Sequence, residues 1–221
     1  MVKLDRFQKG YWEKKKPVNR RSAYHPVVQT YVLSRINALI PHITINSDSL
    51  LLDVGCGNGH FTAHFDKLCK VTGIDYSKGM LDLNPVKNTF QMEAENIEFK
   101  DDSFDIVFCH ALLHHVENIG SVLTEMRRVS RKYIIILEPN RNNPLNFLFA
   151  ALVKEERKAL KFSINYLRKI LSLNELKIIE SFVFGTTVPN KTPIVMLPIL
   201  KFFDIKYPFG MTNILISEKD S

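Results

Sequence analysis

From Leu50 onward, short apolar runs alternate with stretches of mixed polarity. The runs at 50–54, 70–75, 88–92, 104–109 and 132–138 read as strands. Near-continuous Val, Ile, Leu and Phe bounded by turn formers suits strands covered on both faces. The spacing between them predicts helices over 59–68, 77–83, 111–114 and 119–129. Strand and helix in alternation predict an α/β fold with a mostly parallel sheet. Upstream, His25-Pro26 opens an amphipathic helix with Val28, Tyr31, Val32, Arg35, Ile36 and Leu39 near helical spacing, and Pro41 ends it. Downstream of Glu138-Pro139 the pattern changes. A turn-rich 140–144 leads to helices over 145–153 and 163–172 and a sixth strand over 176–184. A seventh strand over 211–218, antiparallel to the rest, follows a Pro-rich insertion at 186–209.

The first strand delivers an acid into Asp53-Val-Gly-Cys-Gly-Asn-Gly59, and the second ends in Asp75. A strand, a glycine turn, a helix and an acid at the next strand tip are how α/β sheets hold a ribonucleoside. A dinucleotide fingerprint has its third glycine at position six, where His60 stands. A phosphate loop ends in Gly-Lys-Ser/Thr, and Gly59-His60-Phe61-Thr62 has no lysine. A nucleoside without phosphates fits better. S-adenosylmethionine (SAM) meets that description, since it asks for close backbone approach, one acid near its amino group and another at its ribose hydroxyls.

Four ordered segments carry a family resemblance: Leu51–Thr62, Val71–Leu81, Glu93–Phe99 and Phe104–Val116. Over about 50–139 the chain resembles the class I SAM-dependent methyltransferases, in particular the small-molecule branch that includes quinone C-methyltransferases. The resemblance implies a Rossmann-like, seven-stranded sheet with helices on both faces and SAM as cofactor. It implies cofactor contacts from Asp53, Gly55, Cys56, Gly57 and Gly59, with Asp75 on the ribose. Tyr76 and Met80 would cover the adenine, and Glu93 and Ala94 would meet its edge. Glu93 stands where the family usually has aspartate. Cys109 and His110 would lie by the methionine end.

Length allows one such domain with an appendage: an arm and helix over 1–45, then a cofactor domain over 46–221 with apolar insertions at 139–165 and 186–209. Three scattered cysteines without a Cys-x-x-Cys favour a reducing, cytoplasmic setting and no metal site. No secretory leader or membrane-length apolar run is visible. Of the net charge of +7, residues 1–21 carry most, with eight Lys/Arg against two Asp/Glu. That arm, with Tyr11-Trp12 beside three lysines, reads either as a solvated lead-in folding its aromatics over the cleft or as a nucleic-acid contact.

His110 is the candidate general base. His114 and His115 read as structural, and Glu138 is a second acid–base candidate or a loop cap. The apolar insertions point to an acceptor that is small and apolar or lipid-like, to peripheral membrane contact, or to a dimer contact. Two other functions stay open: an RNA methyltransferase using the basic arm, and a SAM-binding module without catalysis. The fourth-strand region has Cys109-His110-Ala111-Leu112 rather than the Asn/Asp-Pro-Pro-Tyr/Phe type found in nucleic-acid enzymes, which argues against the first.

Overall fold

The computed structural model describes Gly10 and residues 20–219. Among these, seven strands form one sheet in the order β3-β2-β1-β4-β5-β7-β6. The first five are β1 (Leu50–Val54), β2 (Lys70–Asp75), β3 (Thr89–Gln91), β4 (Phe104–His110) and β5 (Ser130–Pro139). They run parallel, and β7 (Thr212–Lys219) lies antiparallel between β5 and β6 (Leu176–Phe184). Strand order therefore reverses beside β1, where β2 and β3 extend one way and β4 the other. That switch point leaves a crevice beyond the carboxyl ends of β1 and β4.

The apolar runs make strands because both sheet faces are covered. One face buries Leu51, Ile106, Phe108, Ile135 and Ile216 against helix α1 (Pro26–Leu39) and Phe61 and Phe65. The other buries Leu52, Val107, Ile134, Ile136 and Leu215 against α4 (Ile119–Val129) and α6 (Ile164–Leu173). Helix α1 begins where His25 accepts the Val27 N–H and Pro26 takes the first helical position. It packs Val28, Tyr31, Val32, Ile36 and Leu39 into the same core as the sheet. Its buried Arg35 pairs with Asp204 at 2.7 Å, fastening the 186–209 insertion to α1.

Some expected helices are shorter, and one is absent. The segment after the glycine turn is helical only over Thr62–Phe65 (α2), and the one after β2 only over Lys78–Leu81 (α3). No helix forms at 111–114. Ala111 turns left-handed (φ 51°), and the Glu138 carboxylate takes the Leu112 and Leu113 N–H groups at 2.9 and 2.7 Å. The left-handed turn at Ala111 redirects the chain after β4, and a side chain from β5 satisfies the two N–H groups that follow it. The two insertions hold α5 (Pro144–Leu152), a 3-10 stretch at 154–161 and the short α7 (Leu197–Leu200). The arm segment with Tyr11 and Trp12 lies outside the described residues.

Candidate active site

The carboxyl ends of β1, β2 and β4 open on one cavity of about 290 Å³. The turn that leaves β1 is pinned to β2, since Gly55 and Cys56 both donate their N–H to Ile74 O at 2.8 and 2.9 Å. Gly55, Gly57 and Gly59 all take positive φ, at 73°, 49° and 81°, which side chains beyond glycine resist. Gly57 and Gly59 use the missing Cβ differently. At Gly57 a Cβ would stand 3.2 Å from Met80 Cε and 3.9 Å from Asp75 Oδ2, on the cavity wall. At Gly59 it would collide with Asn84 and lie 2.8 Å from Pro85 Cδ, so that glycine serves loop packing, and Gly59 does not border the cavity.

Asp75 is held at both oxygens. Gly57 N–H donates to Oδ2 at 2.9 Å and Ser77 N–H to Oδ1 at 2.8 Å. Each carboxylate oxygen keeps a second lone pair. Burial raises the Asp75 pKa to about 6, against the pull of those two N–H groups. Asp53 is more deeply buried and accepts from Thr62 Oγ1 at 2.7 Å. Burial, with Asp75 nearby, raises its pKa to about 7 although Thr62 opposes the shift. A cation against either acid would be stabilised by drawing it back to its ionised form.

Tyr76, Met80, Glu93 and Ala94 border the cavity near the ends of β2 and β3. Cys56 does too, but its sulfur packs on Gly73, where a Cβ would lie 2.8 Å away. Burial and the two aspartates push its thiol well above the ordinary range, so it fills space and is no nucleophile. Cys109 is wholly buried in the core and does not reach the cavity.

His110 does reach it, and the structure gives it a partner that the sequence did not suggest. Its Nε2 lies 2.8 Å from Tyr31 OH on α1, and the Phe61 ring packs 4.7 Å from the imidazole. Burial first, then the neighbouring His60 and Arg35, lower the His110 pKa well below 6.5, so the ring is neutral. Behind it stands a second cluster. His114 is buried with Nδ1 2.5 Å from Glu138 Oε2 and Nε2 3.2 Å from Glu156 Oε2. Burial disfavours its charge, but the two glutamates outweigh that and raise its pKa to about 10. His114 therefore carries the charge that two buried carboxylates require, and Glu138 also holds the turn after β4. Glu156 could not be found from spacing, because it comes from the 3-10 stretch 42 positions away.

The outer wall comes from the insertions, through Asn146 and Phe149 of α5 and residues 187–191, and from Met211 just before β7. Arg21 ties the start of the described chain to this wall, donating to Pro189 O at 3.1 Å and Thr192 O at 2.8 Å. Its own carbonyl accepts from Asn58 Nδ2 and faces His60 Nε2, both at 2.9 Å. His60, the residue that spoils the dinucleotide spacing, thus helps fasten the N-terminal segment across the glycine turn.

Residues 52–136 match the family model described as a methyltransferase domain. The chain is 37% identical over 93 residues to a malonyl-[acyl-carrier protein] O-methyltransferase of Yersinia pestis, covering 40% of this chain and 35% of that protein. It is 26% identical over 169 residues to a ubiquinone biosynthesis O-methyltransferase of Rickettsia bellii, covering 70% of this chain and 67% of that one. The chain thus spans about a third of the length of the first of these relatives. Among solved structures, the magnesium protoporphyrin IX methyltransferase of Synechocystis with bound SAM shares the fold. Its TM-score is 0.66 at 15% identity, over 100% of this chain and 99% of that one.

Proposed function

Because the chain belongs to the class I SAM-dependent methyltransferases, we propose that it moves a methyl group from SAM to a small, apolar or amphiphilic acceptor. The observation that carries this reading is Asp75. Its carboxylate is fixed by Gly57 and Ser77, borders the cavity and keeps acceptor capacity at both oxygens. Two adjacent ribose hydroxyls match that capacity. The cradle fits the cofactor in two further respects: Gly57 leaves room that a Cβ would fill, and the buried Asp53 is poised to favour a cation. Asp53 would attract the ammonium end, Tyr76 and Met80 would sandwich the adenine, and Glu93 and Ala94 N–H would address its edge.

When bound, the sulfonium supplies an activated methyl group, so that no covalent enzyme intermediate is needed. The protein's own task is then to align the acceptor, exclude water and take up a proton. His110 is neutral, and Tyr31 OH orients its ring. In this reading His110 accepts the proton of an O–H or N–H acceptor. The fixed His114–Glu138 pair keeps the turn at 111–115 in place beside it. Phe149, Val188 and Pro189 give the outer wall its apolar character, which suits a lipophilic acceptor.

Calorimetry with SAM, S-adenosylhomocysteine, ATP and NADH tests the cofactor. Mass spectrometry of methyl transfer to polar and lipophilic acceptors tests the acceptor class. The expected outcome is binding of the two adenosyl compounds and turnover with lipophilic hydroxyl or amine compounds. Binding of NADH or ATP in their place refutes the cofactor. Turnover confined to polar acceptors refutes the acceptor class.

A further inference from the structure

The two insertions carry most of the large apolar side chains that are more than half exposed among the described residues. On α5 Leu148 and Leu152, and on the insertion Val195, Ile199, Phe202 and Phe209, are all more than half exposed, with Val195 at 80%. Helix α5 keeps only Ala150 buried, so nearly the whole apolar helix faces outward. The two segments adjoin at two points. The insertion meets α5 where Lys191 Nζ sits 3.5 Å over the Phe149 ring, and it returns where Phe209 O accepts from Asn143 Nδ2 at 2.6 Å. Their joint face borders the cavity, because Asn146, Phe149 and Lys191 also line its outer wall.

On the 186–211 side of this face the exposed charges have one sign. Lys191, Lys201 and Lys206 are exposed among the apolar side chains, and the single acid of residues 186–211, Asp204, is buried against Arg35. A second copy of the chain on this face would bring its own lysines to the contact, with no surface acid from 186–211 to answer them. An anionic surface answers the charge and the apolar side chains together. We infer that this face docks the protein on an anionic lipid bilayer, with the cavity mouth at the headgroup level, so that acceptors partition from the lipid into the site. The inference deepens the proposed acceptor class and rests on that reading only for what the bilayer delivers.

The full chain would be co-sedimented with phosphatidylcholine vesicles and with mixed phosphatidylcholine–phosphatidylglycerol vesicles. SAM calorimetry would be run on the same samples. Three lysines at the surface predict at least about tenfold tighter partitioning onto the anionic vesicles. Val195→Asp with Phe202→Asp, and separately Lys201→Glu with Lys206→Glu, should each weaken it about tenfold or more while SAM affinity stays unchanged. On the unaltered chain, anionic vesicles should slow amide exchange across 194–205, a readout that needs no variant. Equal or absent partitioning onto both vesicles, or unchanged exchange at 194–205, overturns the inference. So does a solution dimer that Val195→Asp dissolves, which would assign the face to a second copy. Vesicle binding by a chain that ignores SAM would leave the docking face standing and remove the cofactor reading instead.

Discussion

Asp75→Asn keeps the shape of the side chain and removes the property on which the cofactor reading depends. In the native fold its two oxygens accept from Gly57 N–H at 2.9 Å and Ser77 N–H at 2.8 Å. The amide offers one oxygen, so its NH2 must face one of those N–H donors. One buried donor then loses its partner, which costs about 1–3 kcal/mol. That loss appears in the free protein as a melting temperature lower by roughly 2–10 °C for a chain of this size. With ligand present the loss is larger. A hydrogen bond to a charged acceptor contributes about 1.5–3 kcal/mol, and a ribose presents two hydroxyls. Taking the low end for each gives about 3 kcal/mol, or roughly a hundredfold weaker dissociation constant. Because the carboxylate is remote from the transferring methyl, turnover at saturating SAM should change far less than affinity. Calorimetry with SAM and S-adenosylhomocysteine, beside turnover against SAM concentration, separates the two. If Asp75→Asn bound SAM within about threefold of the native protein, the ribose role would be wrong.

Other expectations follow from the same geometry. Gly59→Ala should lower stability by about 2–4 kcal/mol, since its Cβ meets Asn84 and Pro85 at positive φ, whereas Gly57→Ala should mainly weaken SAM binding; a pair of melting curves and titrations that showed the reverse would contradict the division of labour. SAM affinity should rise with pH through about 6 to 7. Asp75 and Asp53 have raised pKa values, so they are protonated at lower pH, and the ammonium at Asp53 and the hydroxyl donors at Asp75 must displace those protons; titrations flat from about pH 5 to 8 would count against both contacts. His110→Ala should lower turnover about a hundredfold with little effect on SAM affinity, and lost affinity with unchanged turnover would remove the base role. Arg35→Ala should cost about 3–5 kcal/mol by leaving Asp204 buried without its ion pair, read as a large fall in the urea midpoint; a change below about 1 kcal/mol would mean the pair contributes little.

The sequence by itself determined the order of strands and helices, the parallel sheet with its antiparallel last strand, and the glycine turn with Asp53 and Asp75. These are local quantities. A strand buried on both faces reads as a near-continuous apolar run, and three glycines within five residues mark a turn that can take positive φ repeatedly. It did not determine what Gly59 is for, because the Asn84-Pro85 loop that fills the space where its Cβ would be lies elsewhere in the chain. Nor did it foresee the missing helix at 111–114. Ala111-Leu-Leu-His114 carries no helix breaker, but Ala111 turns left-handed and Glu138 reaches across from β5 to hold the Leu112 and Leu113 N–H groups there. The Tyr31–His110 contact, the Glu138–His114–Glu156 cluster and the meeting of the two apolar insertions are tertiary in the same sense. Each depends on which segments the sheet order sets side by side, and a hydrogen bond or a charge pair between distant positions leaves no period in the chain for a pattern to reveal.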